Sequence, residues 1–460
     1  MQKATVDELR SLPADAEIWA HQASLAVQTS QQEIQRLRSK LAAESATRRK
    51  LLHEVQDLRG AVRVYCRPRA TSGASTTSMA SNEVLLLHRD RSGNKPDASN
   101  YPLSFEFDGI FRPEMGQQDV YDELEDVCLG VVDGYNICMM MFGQKGSGKT
   151  FSLLGNVKYT RRGANDIDVS VGEHGLHLRA MDQLFSVMSH RSERYQDVVT
   201  ITMVEVANER LCDMLAGTEI GESSGRVIVE DGRGGKRNKP KRPDAPRDEV
   251  GGPTKLEIKT DHNGETVVSG LLSVEISSME DLHRLWKQCL AKRLARLAEQ
   301  GIDIEEHESA SHVITTVKVV STNVSTGIGS TGKIQFVDLA SSDVTPRSSS
   351  SVAAKKGSTS DAMMTGVGNE HEWKFTNKSM STLAEVVTAR SQFVRSVPYR
   401  NSTLTHLLSD SLEADTKVIM VACISQEMKD MQATACTLRF ASRMRKIVVG
   451  KATKHTLTHA

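Results

Sequence analysis

Residues 143–150 read Gly-Gln-Lys-Gly-Ser-Gly-Lys-Thr, and nothing else in this chain restricts its fold so tightly. Residues 137–142 in front of them, Ile-Cys-Met-Met-Met-Phe, carry no polar interruption. Such a run reads as a strand buried on both faces of a sheet. A glycine-rich turn follows at once, and then a segment able to form a helix. Strand, loop and helix in that order are the context a phosphate-binding loop requires, and they place the chain in the α/β class.

The physics of the loop names a ligand class. Gly143, Gly146 and Gly148 let the backbone turn sharply and approach phosphate oxygens without a Cβ in the way. Across Gln144, Lys145 and Ser147, successive N–H groups and the following helix N-terminus face an anion. Lys149 is placed to reach the β- and γ-phosphates, and the Thr150 hydroxyl to ligate Mg²⁺. The expected ligand is therefore a nucleoside triphosphate with Mg²⁺, which the resemblance given below narrows to ATP or ADP. The loop alone says nothing about hydrolysis.

Charge narrows little. Lys plus Arg and Asp plus Glu both number 58, so the net charge is zero and only local patches bear on partners. Aromatic residues make up 4%, too few for base-stacking surfaces, so no nucleic-acid partner is expected. The seven cysteines include no CxxC pair and are odd in number, which predicts reduced thiols inside a cell. No apolar run reaches the length of a membrane span and the N-terminus lacks a signal-peptide pattern, so no membrane partner is expected.

Three parts follow from the pattern along the chain: a helical segment over 1–60, an α/β domain over 61–449 and a tail over 450–460. In the first, Val27, Ile34, Leu37, Leu41, Leu51, Val55, Leu58 and Val62 share the a and d positions of one heptad register, which Ser30, Glu44 and Arg48 interrupt. That is a short coiled coil or an amphipathic helix packed on its own domain. No Pro or Gly falls between residues 14 and 59, which favours one continuous helix. Strands are expected at 62–66, 198–206, 266–276, 312–320, 333–339 and 417–425, and helices near 118–130, 176–189, 279–298, 376–389 and 430–447. Segments 71–100, 216–255 and 341–370 read as insertions. The second carries a basic run over 233–242, either a nuclear import signal or anionic contact, or a solvated loop.

Motifs in order then carry a resemblance. Residues 52–60 (Leu-His-Glu-Val-Gln-Asp-Leu-Arg-Gly) lead into Val62-Arg63-Val64-Tyr65-Cys66-Arg67. Phe105-Glu106-Phe107-Asp108, Gln118-Asp119-Val120-Tyr121 and Asp133-Gly134-Tyr135-Asn136 precede the phosphate loop. Glu205, Asn208 and Glu209 follow, then Asn377-Lys378-Ser379, Val397-Pro398-Tyr399-Arg400-Asn401-Ser402 and Thr437-Leu438-Arg439-Phe440-Ala441. From about Leu52 to Val449 the chain resembles the kinesin motor domain, and within it the C-terminal-motor, minus-end-directed kinesins. The resemblance implies a central, mostly parallel eight-stranded sheet flanked by helices and preceded by a neck helix. It implies adenine near Arg67, Arg69 and Phe151, and a microtubule contacted by Lys378 and Arg400, with Lys355 and Lys356 as further candidates. It also implies a homo- or heterodimer through the N-terminal helix and a place on cytoplasmic microtubules or the spindle. The family reads Arg-x-Arg-Pro where this chain has Arg67-Pro68-Arg69-Ala70.

Larger departures fall at the two switches that sense the γ-phosphate. The second switch in the family runs Asp-Leu-Ala-Gly-Ser-Glu; here it runs Asp338-Leu339-Ala340-Ser341-Ser342-Asp343. Asp338 is placed to hold Mg²⁺, directly or through water. Ser341 keeps the N–H of the family's glycine but adds a side chain whose tolerance of the same dihedrals is in question. The first switch, Asn-x-x-Ser-Ser-Arg-Ser-His in the family, reads Glu305-Glu306-His307-Glu308-Ser309-Ala310-Ser311-His312. Ser309 keeps a hydroxyl for Mg²⁺ and the γ-phosphate, while Glu305 and Glu308 add negative charge beside a polyanion. Ala310 stands where the family's arginine pairs with the second-switch glutamate, here shortened to Asp343. His312 suits a proton relay or a structural hydrogen bond. These departures predict nucleotide binding with slow or absent hydrolysis; the alternative is a fully active minus-end-directed motor.

Overall fold

The computed structural model describes residues 2–58, 60–88, 102–161, 167–218, 227–229, 256–261, 264–303, 307, 310–346, 373–375, 377–413, 415–450 and 452–457. The chain divides into two compact units, Met1–Arg59 and Gly60–Ala460.

The first unit is one helix, α1 (Gln2–Leu58), which runs on through Pro13. Its apolar heptad positions Val27, Ile34, Leu37, Leu51 and Val55 are all exposed. Val62, assigned to the same heptad register from the sequence, lies instead in the first strand of the second unit.

The second unit is built on an eleven-stranded sheet. Its strands in chain order are β1 (Val62–Pro68), β2 (Gly109–Ile110), β3 (Asn136–Phe142), β4 (Tyr195–Ala207), β5 (Arg210–Asp213), β6 (Val227–Val229), β7 (Leu272–Ile276), β8 (His312–Asn323), β9 (Gly329–Asp338), β10 (Thr416–Ile424) and β11 (Thr456–Leu457). Across the sheet the order is β6-β7-β4-β8-β9-β3-β10-β1-β2, with β5 paired to β4 and β11 to β9. Eight strands remain once β2, β6 and β11, each of two or three residues, are set aside. The expectation of a mostly parallel sheet needs correction. From β9 through β3, β10 and β1 to β2 every pair is parallel, and from β9 through β8, β4 and β7 to β6 every pair is antiparallel. The apolar runs of β3 and β10, buried at every position, suit the covered parallel half. The mixed burial of β8 suits the antiparallel half.

Strand periodicity of two sorts β3 between two cores. Ile137, Met139 and Met141 face one cluster with helices α3 (Leu176–His190) and α4 (Met279–Glu299). Cys138, Met140 and Phe142 face the other with α5 (Lys378–Ser391) and α6 (Met431–Arg445), where Phe142 stacks on Phe440 at 4.0 Å. This double coverage makes β3 a rigid stem for the loop that follows it.

Local structure departs from expectation in several places. The helix after the phosphate loop, α2 (Lys149–Leu154), stops at Gly155, whose positive φ of 98° ends it. An antiparallel hairpin, Gly155–Arg161 with Ile167–His174, follows. Gly270, at φ 87°, divides the strand expected over 266–276 into Thr266–Ser269 and β7. The region 118–130 is two short helices and a 3₁₀ turn in place of one helix. Part of the insertion 71–100 forms strands Thr77–Met79 and Val84–Leu87, which pair because Leu85 and Leu87 are fully buried. In the tail, β11 pairs with the start of β9, and His455 bonds to the Gly134 carbonyl. The basic run 233–242 lies outside the described residues.

Candidate functional site

The stem delivers the loop at the C-terminal end of the parallel half, where α/β sheets place their ligand crevices. Gly143 sits so close to β10 that a Cβ would lie 2.1 Å from the Cys423 carbonyl oxygen. Gly148 caps α2 at φ 95°, a left-handed turn that glycine adopts at least cost. Lys149 is buried and its Nζ donates to the carbonyls of Gly143 and Gln144 at 2.9 and 3.0 Å. Burial pulls its ammonium below the ordinary value, while Asp338, Cys423 and Asp343 pull it back up. Gln144 and Ser147 are buried within the loop; Lys145, Gly146 and Thr150 face outward.

The second switch is bonded directly to this cradle. Thr150 Oγ1 donates to Asp338 Oδ2 at 2.8 Å. The Ser342 N–H donates to the Gly143 carbonyl at 2.9 Å, and the Lys145 N–H to Asp343 Oδ1 at 3.1 Å. Asp343 thus binds the loop backbone. Ser341 does not adopt a positive φ, so its side chain brings no left-handed strain. Its hydroxyl is buried and, among the described residues, without a hydrogen-bond partner, as is Asp338 Oδ1. Burial raises the Asp338 pKa, opposed by Lys149, Thr150 and Arg293. A half-buried carboxylate with one buried, unsatisfied oxygen beside a threonine hydroxyl fits a divalent cation, which would relieve the cost of burying that charge.

The first switch is anchored elsewhere. Of its residues, Glu305, Glu306, Glu308 and Ser309 lie outside the described residues. His307 Nε2 and Glu205 Oε1 on β4 are 2.8 Å apart, and Ser311 Oγ accepts from Arg293 Nη2 on α4 at 2.8 Å. Exposed Ala310 offers its carbonyl to Asn377 Nδ2 at 2.9 Å. His312 Nδ1 accepts from the Ala340 N–H at 2.9 Å, which fixes a structural role at the meeting of the two switches. Burial, with Lys149 nearby, holds its pKa down at about 3, so the ring is neutral.

A cleft of about 660 Å³ opens beside the loop, lined by Arg67, Arg69, Phe151 and the residues from Gly146 to Thr150. Arg67 is held from below by Gln117 Oε1 and Ser152 Oγ, each at 2.9 Å, with its guanidinium 5.6 Å from the Phe151 ring centre. Arg69 donates to the Gly146 carbonyl at 2.6 Å. Sequence reasoning missed Pro113 and Met115, which line this cleft together with Phe151, a ring able to stack on a base. Only their position after Phe111 in a polar turn signals them, and that signal is weak.

The profile of the kinesin motor domain matches residues 65–447. The chain belongs to the kinesin motor-domain family. Kinesin-like protein KIN-14R of Arabidopsis thaliana is 29% identical over 430 residues, covering 92% of this chain and 33% of that protein. Kinesin-like protein KIN-14J of Oryza sativa subsp. japonica is 30% identical over 420 residues, with 91% and 42% covered. The chain thus spans about a third of KIN-14R's length. Among solved structures, the C-terminal motor and motor homology domain of Kar3Vik1, fused to a synthetic heterodimeric coiled coil, superposes with a TM-score of 0.66 at 24% identity over 95% of this chain and 98% of that one. A fast kinesin gives a TM-score of 0.62 at 21% identity over 86% and 94%. Kinesin motor domains bind ATP or ADP with Mg²⁺.

Away from the cleft, this kinesin fold ties two further elements to β4. The β4–β5 turn places Asn208 and Glu209 at positive φ. Glu209 then accepts from Ser379 Oγ at 2.8 Å and from the Thr403 N–H at 2.6 Å. Asn377 caps α5 through the N–H groups of Ser379 and Met380. Lys378 and Arg400 are exposed on the elements so held, whereas Lys355 and Lys356 lie outside the described residues. All seven cysteines are free thiols, and no described helix is long and apolar enough to cross a membrane.

Proposed function

We propose that this chain binds ATP or ADP with Mg²⁺, docks on microtubules, and hydrolyses ATP slowly or not at all. One observation supports the reading: the cradle is complete and joined to the second switch through Asp343, while Ala310 stands where the family carries an arginine. Gly146, Gly148 and Lys149 hold the phosphates, Phe151 with Pro113 and Met115 bound the base, and Thr150, Asp338 and Ser309 hold the metal. Mg²⁺, when bound, neutralises charge on the phosphate oxygens. The chain orients the nucleotide, but a closed wall over the γ-phosphate lacks its arginine. Losing one such preorganised donor costs about 10²–10³ in rate.

Lys378 and Arg400 support docking on acidic tubulin, with binding that weakens as salt rises. The exposed apolar stripe of α1 supports a two-stranded coiled coil with an identical or different partner. The proposed division is a neck helix over 1–60, a motor domain over 61–449 and a tail over 450–460. The proposed setting is the microtubule cytoskeleton or spindle.

A second reading, an active minus-end-directed motor, is favoured by Ser341, which retains its N–H without positive-φ strain. Steady-state ATPase measurement with and without microtubules separates the two. The first reading expects little turnover and little stimulation beside saturable nucleotide binding; strong microtubule stimulation sinks it in favour of the second.

A further inference from the structure

The turn that ends α5 carries a large apolar side chain in a place that suits glycine. The Val394 N–H donates to the Ala389 carbonyl at 2.9 Å and the Phe393 N–H to the Arg390 carbonyl at 3.1 Å. These paired bonds close a helix through one left-handed residue. That residue is Phe393, at φ 56°. Glycine adopts this conformation at least cost, whereas a bulky side chain is strained by it. Burial does not offset the strain. At 74% exposure, Phe393 is the most exposed large apolar side chain among the described residues. Val394 beside it is 45% exposed, and residues 392–396 all face solvent. Strain and exposure at one residue point to a use outside the fold.

The surroundings give that use its chemistry. No Asp or Glu lies between Glu385 and Asp410, whereas Arg390, Arg395 and Arg400 do. Arg395 and Arg400 are exposed, and Arg390 is held back by the Glu413 carbonyl, to which its Nη2 donates at 2.8 Å. The turn joins α5, which begins at exposed Lys378, to the 3₁₀ turn Tyr399–Asn401 that carries Arg400. Its footing is firm, because Val386, Val387 and Tyr399 sit in the core and Thr405 Oγ1 donates to the Tyr399 carbonyl at 2.6 Å. An apolar pair among cations on a rigid base suits an interface centre with a charged rim, facing an acidic protein. Two side chains offer too little apolar area for stable insertion in a lipid surface. One aromatic ring is enough to anchor a protein contact.

We propose that Phe393, with Val394, is the apolar anchor of the microtubule contact, entering a hollow of the acidic tubulin surface while Arg395 and Arg400 meet the charges around it. The proposal rests on the microtubule docking proposed for this chain, and it changes the character of that contact. Charge alone gives binding that salt abolishes. An anchored contact keeps a component that salt leaves in place, because burial of a ring is not screened. The strained turn then has a function: it holds the ring outward, where glycine would make the fold more stable and the surface bare.

The test is co-sedimentation of the full chain with microtubules over a salt series, alongside denaturant unfolding. Phe393→Gly places the favoured residue in the turn. Its unfolding midpoint should hold or rise, while microtubule affinity falls about tenfold or more, the effect of losing one buried ring, at low and high salt alike. Phe393→Asn, which also tolerates the left-handed turn, should lose affinity to the same extent. Phe393→Leu, still apolar, should keep most of it. Stability and docking moving in opposite directions is the signature of an anchor. A lower midpoint, with affinity lost only as the fold is lost, marks a structural ring and overturns the proposal. Affinity within about twofold of the unsubstituted chain in Phe393→Gly, or a loss confined to low salt, overturns it as well. So does Phe393-dependent binding to vesicles of anionic phospholipid with microtubule affinity unchanged, which assigns the ring to a membrane. Should the unsubstituted chain fail to bind microtubules even at low salt, the docking reading and the anchor fall together. Binding that Phe393→Gly leaves intact removes the anchor alone.

Discussion

The two switches of this site are anchored to different partners. The second is bonded to the phosphate loop by Thr150–Asp338, Gly143–Ser342 and Lys145–Asp343. The described ends of the first are bonded to Glu205, Arg293 and Asn377, on β4, α4 and the cap of α5. Among the described residues the Ala340 N–H donates to His312 between them, beside the pairing of β8 with β9 at Val313 and Asp338. The difference teaches that the second switch is fixed to the cradle itself, while the described ends of the first are fixed to the sheet and helices behind it. Asp343 bonds to the loop it flanks, and His307 and Ser311 meet the buried Glu205–Arg293 pair.

The largest test of this comparison removes the cradle's own charge. Lys149→Ala should weaken nucleotide binding about 10²–10³-fold, because a buried cation is lost from a polyanion site; fluorescent-nucleotide titration reads it. Next, joining the switches should restore chemistry. Ala310→Arg with Ser341→Gly and Asp343→Glu should raise ATP turnover by about 10², and a folded triple variant with no gain refutes the account of the defect.

Acid probes the bond between His312 and the Ala340 N–H. His312 and His177 are fully buried, with pKa values held at about 3 against an ordinary 6.5, chiefly by burial. The folded chain therefore binds fewer protons than the unfolded chain below pH 6.5. Stability is complete above that pH and falls by about 1.4 kcal/mol per histidine at pH 5.5. Denaturant unfolding at pH 7.5 and 5.5 should show this loss, and His177→Phe, at a ring packed on Phe336 and not a switch residue, should remove its own half alone. The smallest effect is expected at the surface. Lys378→Ala and Arg400→Ala should each weaken microtubule co-sedimentation only about two- to fivefold, with the difference lost at high salt.

Much of this was legible in the sequence. The apolar run before the loop, and the long strands and helices with strong periodicity, fall where their patterns place them, because each is buried against the sheet. The cradle and second switch were readable because they are contiguous in the chain. The hairpin after Leu154 was not, since Gly155 ends α2 through a backbone angle that periodicity does not register. Nor was the Glu205–Arg293–Ser311 cluster. Its members are separated by 88 and 18 residues and meet only in the fold. The parallel and antiparallel halves were likewise hidden, because strand direction depends on how the chain crosses over. Pattern alone does not carry that.

The central claim is the proposal that the cradle holds ATP while the altered switches fail to cleave it. The most direct measurement is a single turnover: the full chain is mixed with Mg²⁺ and a limiting amount of radiolabelled ATP, with microtubules present, and quenched at intervals. The account predicts that the ATP is bound yet remains largely uncleaved long after binding is complete. Rapid appearance of bound ADP and phosphate, on the time scale of binding itself, would contradict it.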